Sequence, residues 1–140
     1  MSRWALDTNT LSEAAKHRPH PSVVRFLEQH GPACAIPAPV WHELWYGCIR
    51  LPEGGRRTVL ARWLTATGQS MEILPYDSDA ATWHAGQRAK LVSLGRTPPF
   101  SDGAIASIAY TRGLTLVTAN AADFAAFDGL QVVDWRKVRR

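Results

Sequence analysis

Short runs with strand character alternate along the chain with longer stretches of helical periodicity. The strand-like runs cover residues 3–6, 33–36, 72–75, 115–118 and 131–134, and helices are predicted over 10–16, 21–30, 38–51, 54–68, 77–95 and 102–113. This alternation is typical of domains in which a crossover helix joins each strand to the next parallel one. We therefore predict an α/β fold with a mostly parallel central sheet of about five strands.

The size of the chain limits it to one domain, residues 1–140, of which 46% are hydrophobic. Cys34 and Cys48 have neither a CxxC spacing nor a nearby histidine pair, and we expect both to be small buried hydrophobic residues. The five histidines are scattered, and we assign them to surface or packing roles. We predict a loose basic tail over residues 136–140.

Two features bear on location and partners. No apolar run approaches the roughly 18 residues of a membrane span, and the N-terminus lacks a signal peptide, so we expect a cytoplasmic protein without a membrane partner. The formal net charge is +4, and 13 of the 16 basic residues are arginines, whose planar guanidinium suits phosphate groups. The charge permits a polyanionic partner without establishing one.

Four carboxylates occupy positions that are unusual for surface acids. Asp7 and Asp123 each follow a predicted strand, Asp102 begins an apolar helix, and Glu43 borders the buried stripe of the third helix. Each also has an ordinary explanation: a helix cap or loop residue for the first two, a macrodipole role for Asp102 and an ion pair for Glu43. We expect Ser101 to be the N-cap residue of the helix that contains Asp102.

Taken together, these four acids suggest a shared site. In open α/β sheets, functional sites lie beyond the carboxyl ends of the strands. Two like charges 4 Å apart cost on the order of 4 kcal/mol at an effective dielectric of 20, so a converged cluster must bind protons or a cation. Oxygen-only ligands favour Mg²⁺ or Mn²⁺ over zinc.

Four segments that span nearly the whole chain in order resemble a PIN domain, and most closely the VapC and FitB-like toxins. They are Leu6-Asp-Thr-Asn-Thr-Leu-Ser-Glu13, Trp41-His-Glu-Leu-Trp-Tyr-Gly47, Ser101-Asp-Gly-Ala-Ile-Ala106 and Leu116-Val-Thr-Ala-Asn-Ala-Ala-Asp-Phe124. The resemblance implies a three-layer α/β/α domain and a Mg²⁺-dependent or Mn²⁺-dependent endoribonuclease. It also implies the toxin of a toxin–antitoxin pair, with an RNA substrate, a VapB-like antitoxin and a homodimeric state.

The resemblance assigns roles to particular residues. The four acids match the catalytic and metal-binding quartet of the family: Asp7, Glu43, Asp102 and Asp123. A second set would orient the carboxylates, water or a substrate phosphate: Thr8, Asn9, Thr118 and Asn120. The chain departs from the family at Ala119, where relatives often carry arginine.

Basic and aromatic residues are candidates for RNA contacts. Several arginines and the basic tail over residues 136–140 are candidates for contact with the RNA backbone, with a solvated helix face as the alternative for each: Arg50, Arg56, Arg57, Arg62, Arg88 and Arg96. Trp41 and Trp45 share one stripe of the third helix, and we favour a core or dimer-interface role for them over base stacking.

Other functional classes remain as alternatives. A haloacid-dehalogenase-like phosphatase would need an aspartate at Asn9, and a phosphoacceptor receiver domain would need a lysine after the strand at 114–118. Both are disfavoured. The main alternative is a non-catalytic PIN-like module that binds RNA or regulates a partner, and binds metal only for stability.

Overall fold

The structure, a computed structural model, describes residues 2–137 and is built on a five-stranded sheet. The strands are β1 Trp4–Leu6, β2 Cys34–Pro37, β3 Glu72–Leu74, β4 Thr115–Val117 and β5 Val132–Val133. Their order is β3-β2-β1-β4-β5, and all neighbours are parallel. Each observed strand boundary lies within one residue of its prediction, so the mostly parallel α/β fold is confirmed.

Helices flank the sheet and connect its strands. They are α1 Thr8–Ala14, α2 Pro21–His30, α3 Ala38–Ile49, α4 Gly55–Ser70, α5 Ser78–Ser93, α6 Phe100–Thr111 and α7 Ala121–Phe124. The short helix α7 was not predicted. The N-cap prediction for Ser101 is wrong, because α6 begins at Phe100 and its cap position is Pro99, which has no side-chain capping bond. No helix within residues 2–137 combines the length and apolarity needed to cross a membrane.

The core lies on both faces of the three central strands. Leu6, Ile36, Leu116 and Val117 are fully buried, as expected when helices cover both faces of a parallel sheet. Residues 103–109 of α6 form an uninterrupted buried run of small and β-branched residues. The small side chains let α6 pack closely, which fixes its N-terminal turn relative to the sheet.

Both cysteines are free and buried, as predicted. Burial raises the pKa of the Cys34 thiol to about 12, so this thiol stays neutral at physiological pH. Cys34 therefore offers no reactive thiolate.

The last described residues, up to 137, contact the rest of the domain. Trp135 is buried, and its carbonyl accepts a 2.6 Å hydrogen bond from Ser22 Oγ. The Arg136 guanidinium pairs with Asp134 at 2.9 Å, and the Lys137 amide donates to the Asp134 carbonyl at 3.0 Å. Arg136 and Lys137 are exposed but make these contacts, and residues 138–140 lie outside the described part of the chain, so the loose tail over residues 136–140 stays a prediction.

The burial of β4 gives a stability prediction. Leu116→Ala removes a fully buried side chain from a strand next to the centre of the sheet, and we expect it to lower the free energy of unfolding by about 3 kcal/mol. The matched control is Val59→Ala on α4, where the side chain is 66% exposed and the expected change is within about 0.5 kcal/mol. Urea denaturation measures both; equal losses for the two variants would contradict the assignment of the core.

Candidate functional site

Asp7 lies directly after β1 and performs two structural tasks. Its side chain caps α1 by accepting a 2.8 Å hydrogen bond at Oδ1 from the Thr8 amide. Its Oδ2 accepts a 2.7 Å hydrogen bond from the Thr118 hydroxyl at the end of β4. The helix-cap explanation is therefore correct, and it is compatible with a place in a site because the same carboxylate also faces the neighbouring strand.

Asn9 and Thr118 form a network around that carboxylate. The Asn9 Nδ2 donates to Asp7 Oδ2 at 3.4 Å and to Thr118 Oγ1 at 3.3 Å, while Asn9 Oδ1 accepts from the Ala119 amide at 2.9 Å. Thr118 Oγ1 also accepts from the Asn120 amide at 3.0 Å. Thr8 and Asn120 thus contribute through backbone amides, whereas Asn9 and Thr118 contribute through side chains.

Asp102 and Asp123 complete a cluster of negative charge around Asp7. Burial raises the pKa of Asp7 above its ordinary value, against its own hydrogen bonds, and the charge of Asp123 raises it further. Burial likewise raises the pKa of Asp102, followed by the charges of Asp7 and Asp123. The structure therefore brings three of the four predicted acids, from β1, α6 and α7, into electrostatic contact.

Glu43 is placed differently from the three aspartates. It is exposed on α3, and it lines a groove of about 580 Å³ together with Thr8, Ser12 and Arg56. Its charge is not among the causes of the raised pKa values of Asp7 and Asp102. Glu43 thus faces a groove that reaches the start of α1 without joining the charge cluster directly.

The four acids offer the oxygen ligands that a hard divalent cation prefers, but their side chains are not arranged as a complete coordination site. Within residues 2–137, none of the four acids forms an ion pair with lysine, arginine or histidine. In the same range, no three His, Cys, Asp or Glu side chains lie close enough together to hold one metal ion. Asp123 and Glu43 are exposed side chains that can change rotamer, and like charges separate when nothing neutralises them. The uncompensated oxygen ligands are thus of the kind that Mg²⁺ or Mn²⁺ prefers.

The predicted RNA-contacting arginines are spread over several surfaces. Arg56 lines the Glu43 groove, Arg57 lines a shallow depression along α4, and Arg96 is exposed after α5. The Arg50 guanidinium lies 5.7 Å from the centre of the Tyr46 ring. Their contact with RNA stays a prediction.

The packing of Trp41 favours a core role over base stacking. The indole lies so close to α4 that a Cβ added at Gly68 would sit 2.9 Å from it. Trp41 also meets Trp45 edge to face, with ring centres 6.0 Å apart, and both rings pack partly buried against the core.

One structural determinant of the site was not predicted from the sequence. His84 of α5 is 3% exposed, and a Cβ added at Gly103 would lie 2.2 Å from its Nε2. The Nδ1 of His84 is 2.8 Å from the Tyr76 hydroxyl, so the ring is fixed from both sides. The glycine that follows Asp102 is therefore required by packing, which sets how closely the N-terminal turn of α6 approaches α5.

The whole chain is similar to proteins of one family. The PIN domain model matches residues 5–130. The tRNA(fMet)-specific endonuclease VapC of Shigella flexneri is 34% identical over 136 residues, covering 96% of this chain and 99% of the relative. Toxin FitB of Neisseria gonorrhoeae is 30% identical over 127 residues, covering 88% and 91%.

Solved structures agree with this similarity. DNA-bound VapBC from Salmonella typhimurium superposes with a TM-score of 0.85 at 27% identity, covering 96% of this chain and 99% of that one. VapBC-5 from Mycobacterium tuberculosis, described as a member of the VapBC family of toxin-antitoxin systems, superposes with a TM-score of 0.69 at 26% identity, with coverage of 96% and 99%.

The charge cluster gives a pH prediction. An acid whose pKa is raised by folding destabilises the native state when it is ionised, so the penalty grows as pH rises above the ordinary value of 3.8. We expect Asp102→Asn to raise the thermal midpoint at pH 7 in EDTA; a gain of roughly 1 kcal/mol would correspond to about 4 °C. The difference in thermal midpoint between Asp102→Asn and the wild type should shrink as the pH falls toward 4. A midpoint at pH 7 that is unchanged or lowered would contradict the electrostatic coupling.

The contact between His84 and Gly103 gives a packing prediction. Gly103→Ala forces a methyl group into a buried ring, and we expect a loss of about 1–3 kcal/mol in unfolding free energy. The control is Gly86→Ala on α5, where a Cβ meets nothing within 4 Å and the expected change is a gain of roughly 0.5–1 kcal/mol. In a double-mutant cycle, His84→Ala should relieve part of the Gly103→Ala loss. Strict additivity would show that the contact does not constrain α6.

Proposed function

This chain belongs to the PIN-domain family, and on that premise we propose that it is the ribonuclease toxin of a toxin–antitoxin pair, an endonuclease that hydrolyses RNA phosphodiester bonds. The observation that carries the proposal is the cluster of Asp7, Asp102 and Asp123, in which burial and then the charges of neighbouring aspartates raise the pKa of Asp7 and Asp102. None of the three forms an ion pair with a basic side chain within residues 2–137. The names of the relatives, an endonuclease VapC and a toxin FitB, support the same activity.

The proposed cofactor is Mg²⁺ or Mn²⁺, held by Asp7, Asp102 and Asp123, with Glu43 facing the adjoining groove. When bound, such an ion lowers the pKa of a coordinated water and neutralises phosphoryl oxygens. Asp7 Oδ2 already accepts hydrogen bonds from Thr118 and Asn9, whereas Oδ1 accepts only from the Thr8 amide. Because a carboxylate oxygen has two acceptor positions, Oδ1 is the Asp7 atom with room for a further ligand.

The chain's own residues contribute orientation and electrostatics. Thr118 and Asn9 hold the Asp7 carboxylate in one rotamer, and the amides of Ala119 and Asn120 hold those two side chains in turn. The capped start of α1 fixes the same carboxylate relative to the sheet. Protein groups, rather than water molecules, therefore fix the orientation of the Asp7 carboxylate. A preorganised site requires this kind of support.

The proposed partners are a VapB-like antitoxin and a second copy of the chain. The similarity to VapBC complexes supports the antitoxin. An apolar groove of about 600 Å³ between α1 and α4, lined in part by Leu51, Val59 and Trp63, offers a surface for a partner segment. Tyr46 and Ile49 of α3 are each more than half exposed, which supports a self-association surface.

The activity is tested by changing the acids one at a time. We expect Asp7→Asn and Asp102→Asn to reduce Mg²⁺-dependent cleavage of RNA by roughly 10²-fold or more, because each removes a charge from the cluster. Asp79→Asn, which neutralises an acid in the first turn of α5, is the matched control and should keep the wild-type rate. Cleavage is followed on labelled RNA, and circular dichroism verifies the fold of each variant.

Three outcomes would overturn parts of the proposal. Wild-type cleavage rates in both Asp7→Asn and Asp102→Asn would remove these residues from catalysis. A wild-type protein that binds RNA and never cuts it with Mg²⁺ or Mn²⁺ would favour the non-catalytic binding module. Calorimetric titration with Mn²⁺ tests the cofactor separately. If Asp102→Asn binds Mn²⁺ with the affinity of the wild type, the ion is not held by Asp102.

A further inference from the structure

An aromatic ring stands exposed at the start of α6, the helix that carries Asp102. Phe100 is the first residue of α6 and is 58% exposed, two residues before Asp102. At a rise of 1.5 Å per residue, the two positions lie about 3 Å apart along the helix axis and about 200° apart around it. A strand of nucleic acid that crosses the N-terminal end of α6 would therefore pass both residues.

The Phe100 ring is held in place by its neighbours. Its centre is 4.7 Å from that of His84 and 6.2 Å from that of Tyr76. These two residues are themselves joined by the 2.8 Å contact between the Tyr76 hydroxyl and His84 Nδ1. The ring is thus a fixed platform, and a fixed platform loses little conformational entropy when a ligand stacks on it.

An arginine without an acidic partner lies over the same ring. The Arg88 guanidinium is 5.7 Å from the centre of Phe100, and Arg88 forms no ion pair with any carboxylate among residues 2–137. A guanidinium in that position can bind a phosphate while its stem contacts the ring.

A cavity of about 290 Å³ adjoins this pair. Besides Phe100, Arg88 and His84, it is lined by Thr97, Pro98, Pro99 and Phe127. The two prolines stiffen the wall formed by the loop before α6. The cavity combines aromatic and apolar walls with one unpaired cation, which is the composition of a base-stacking pocket that also contacts the backbone.

We propose that Phe100 and Arg88 form a nucleotide-binding subsite in which an unpaired RNA base stacks on the Phe100 ring and Arg88 binds an adjoining phosphate. The inference rests on the proposed RNA-cleaving function and adds to it a position that binds substrate outside the acid cluster. Stacking on a phenyl ring accepts any base, so this subsite selects single-stranded RNA over paired RNA without selecting a sequence.

The test uses stacking itself as the signal. A short single-stranded RNA that contains 2-aminopurine is titrated with Asp102→Asn protein, which the proposed function expects to bind without cutting. We expect fluorescence quenching on binding, and Phe100→Ala in the same background should abolish the quenching and weaken affinity roughly 10-fold. Phe100→Trp should restore the quenching, because any aromatic ring at this position can stack.

Arg88 is tested by the salt dependence of binding. Loss of one phosphate contact to a single strand should reduce the slope of log affinity against log salt by about 0.7. We expect this reduction in Arg88→Ala, and no change in Arg25→Ala, which removes an exposed arginine from α2. An unchanged slope in Arg88→Ala would remove the phosphate contact from the proposal.

Tyr46 and Arg50 form a second exposed aromatic–arginine pair, which serves as the matched control for Phe100 and Arg88. Tyr46 is 57% exposed, and the Arg50 guanidinium is 5.7 Å from the centre of its ring. If Tyr46→Ala abolishes quenching and Phe100→Ala does not, the subsite is on α3 and the inference fails. If wild-type protein cleaves RNA but Phe100→Ala binds and quenches normally, the inference fails and the function stands. If wild-type protein neither binds nor cleaves RNA, the proposed function fails first.

Discussion

The hydrogen bond from the Thr118 hydroxyl to the Asp7 carboxylate joins the carboxyl ends of the two strands on which the site is built. Burying a carboxylate is costly, and this bond, the α1 cap and the Asn9 amide offset part of that cost. They do not remove it, because burial and the charge of Asp123 still keep the pKa of Asp7 raised. The fold therefore holds an acid where it is unfavourable, a frequent property of functional sites.

The sheet was predictable because its signal is local. Each strand is a short apolar run bounded by polar or turn residues, and a parallel sheet buried on both faces requires that composition. The order of the strands was not predicted: it depends on how the crossover helices pack, and the structure places β1 at the centre with β2 and β4 beside it. The start of α6 was less predictable: Ser101 suggested an N-cap, but the loop ends at Pro99, two residues earlier, where the ring fixes the backbone.

For the site, the acids at strand ends were predictable and their packing environment was not. Asp7 and Asp123 follow the neighbouring parallel strands β1 and β4, whose carboxyl ends lie at one edge of the sheet. Asp102 joins their charge environment from the first turn of α6, whereas Glu43 lines the adjoining groove from α3. The contact of His84 with Gly103 depends on two helices meeting 19 positions apart in sequence, and no local pattern encodes it. The exposure of Phe100 is likewise a tertiary property, since an aromatic residue at a helix start is ordinarily expected to pack.

The pairing of β1 with β4 also determines when, during synthesis of the chain, the acid cluster can form. Asp7 and Thr118 are 111 positions apart, and Asp123 follows later still. A nascent chain in which only the first hundred residues have emerged from the ribosome holds neither the strand that supports Asp7 nor the last of the three clustered acids. At least the first 123 residues must therefore have left the ribosome before the three acids can come together.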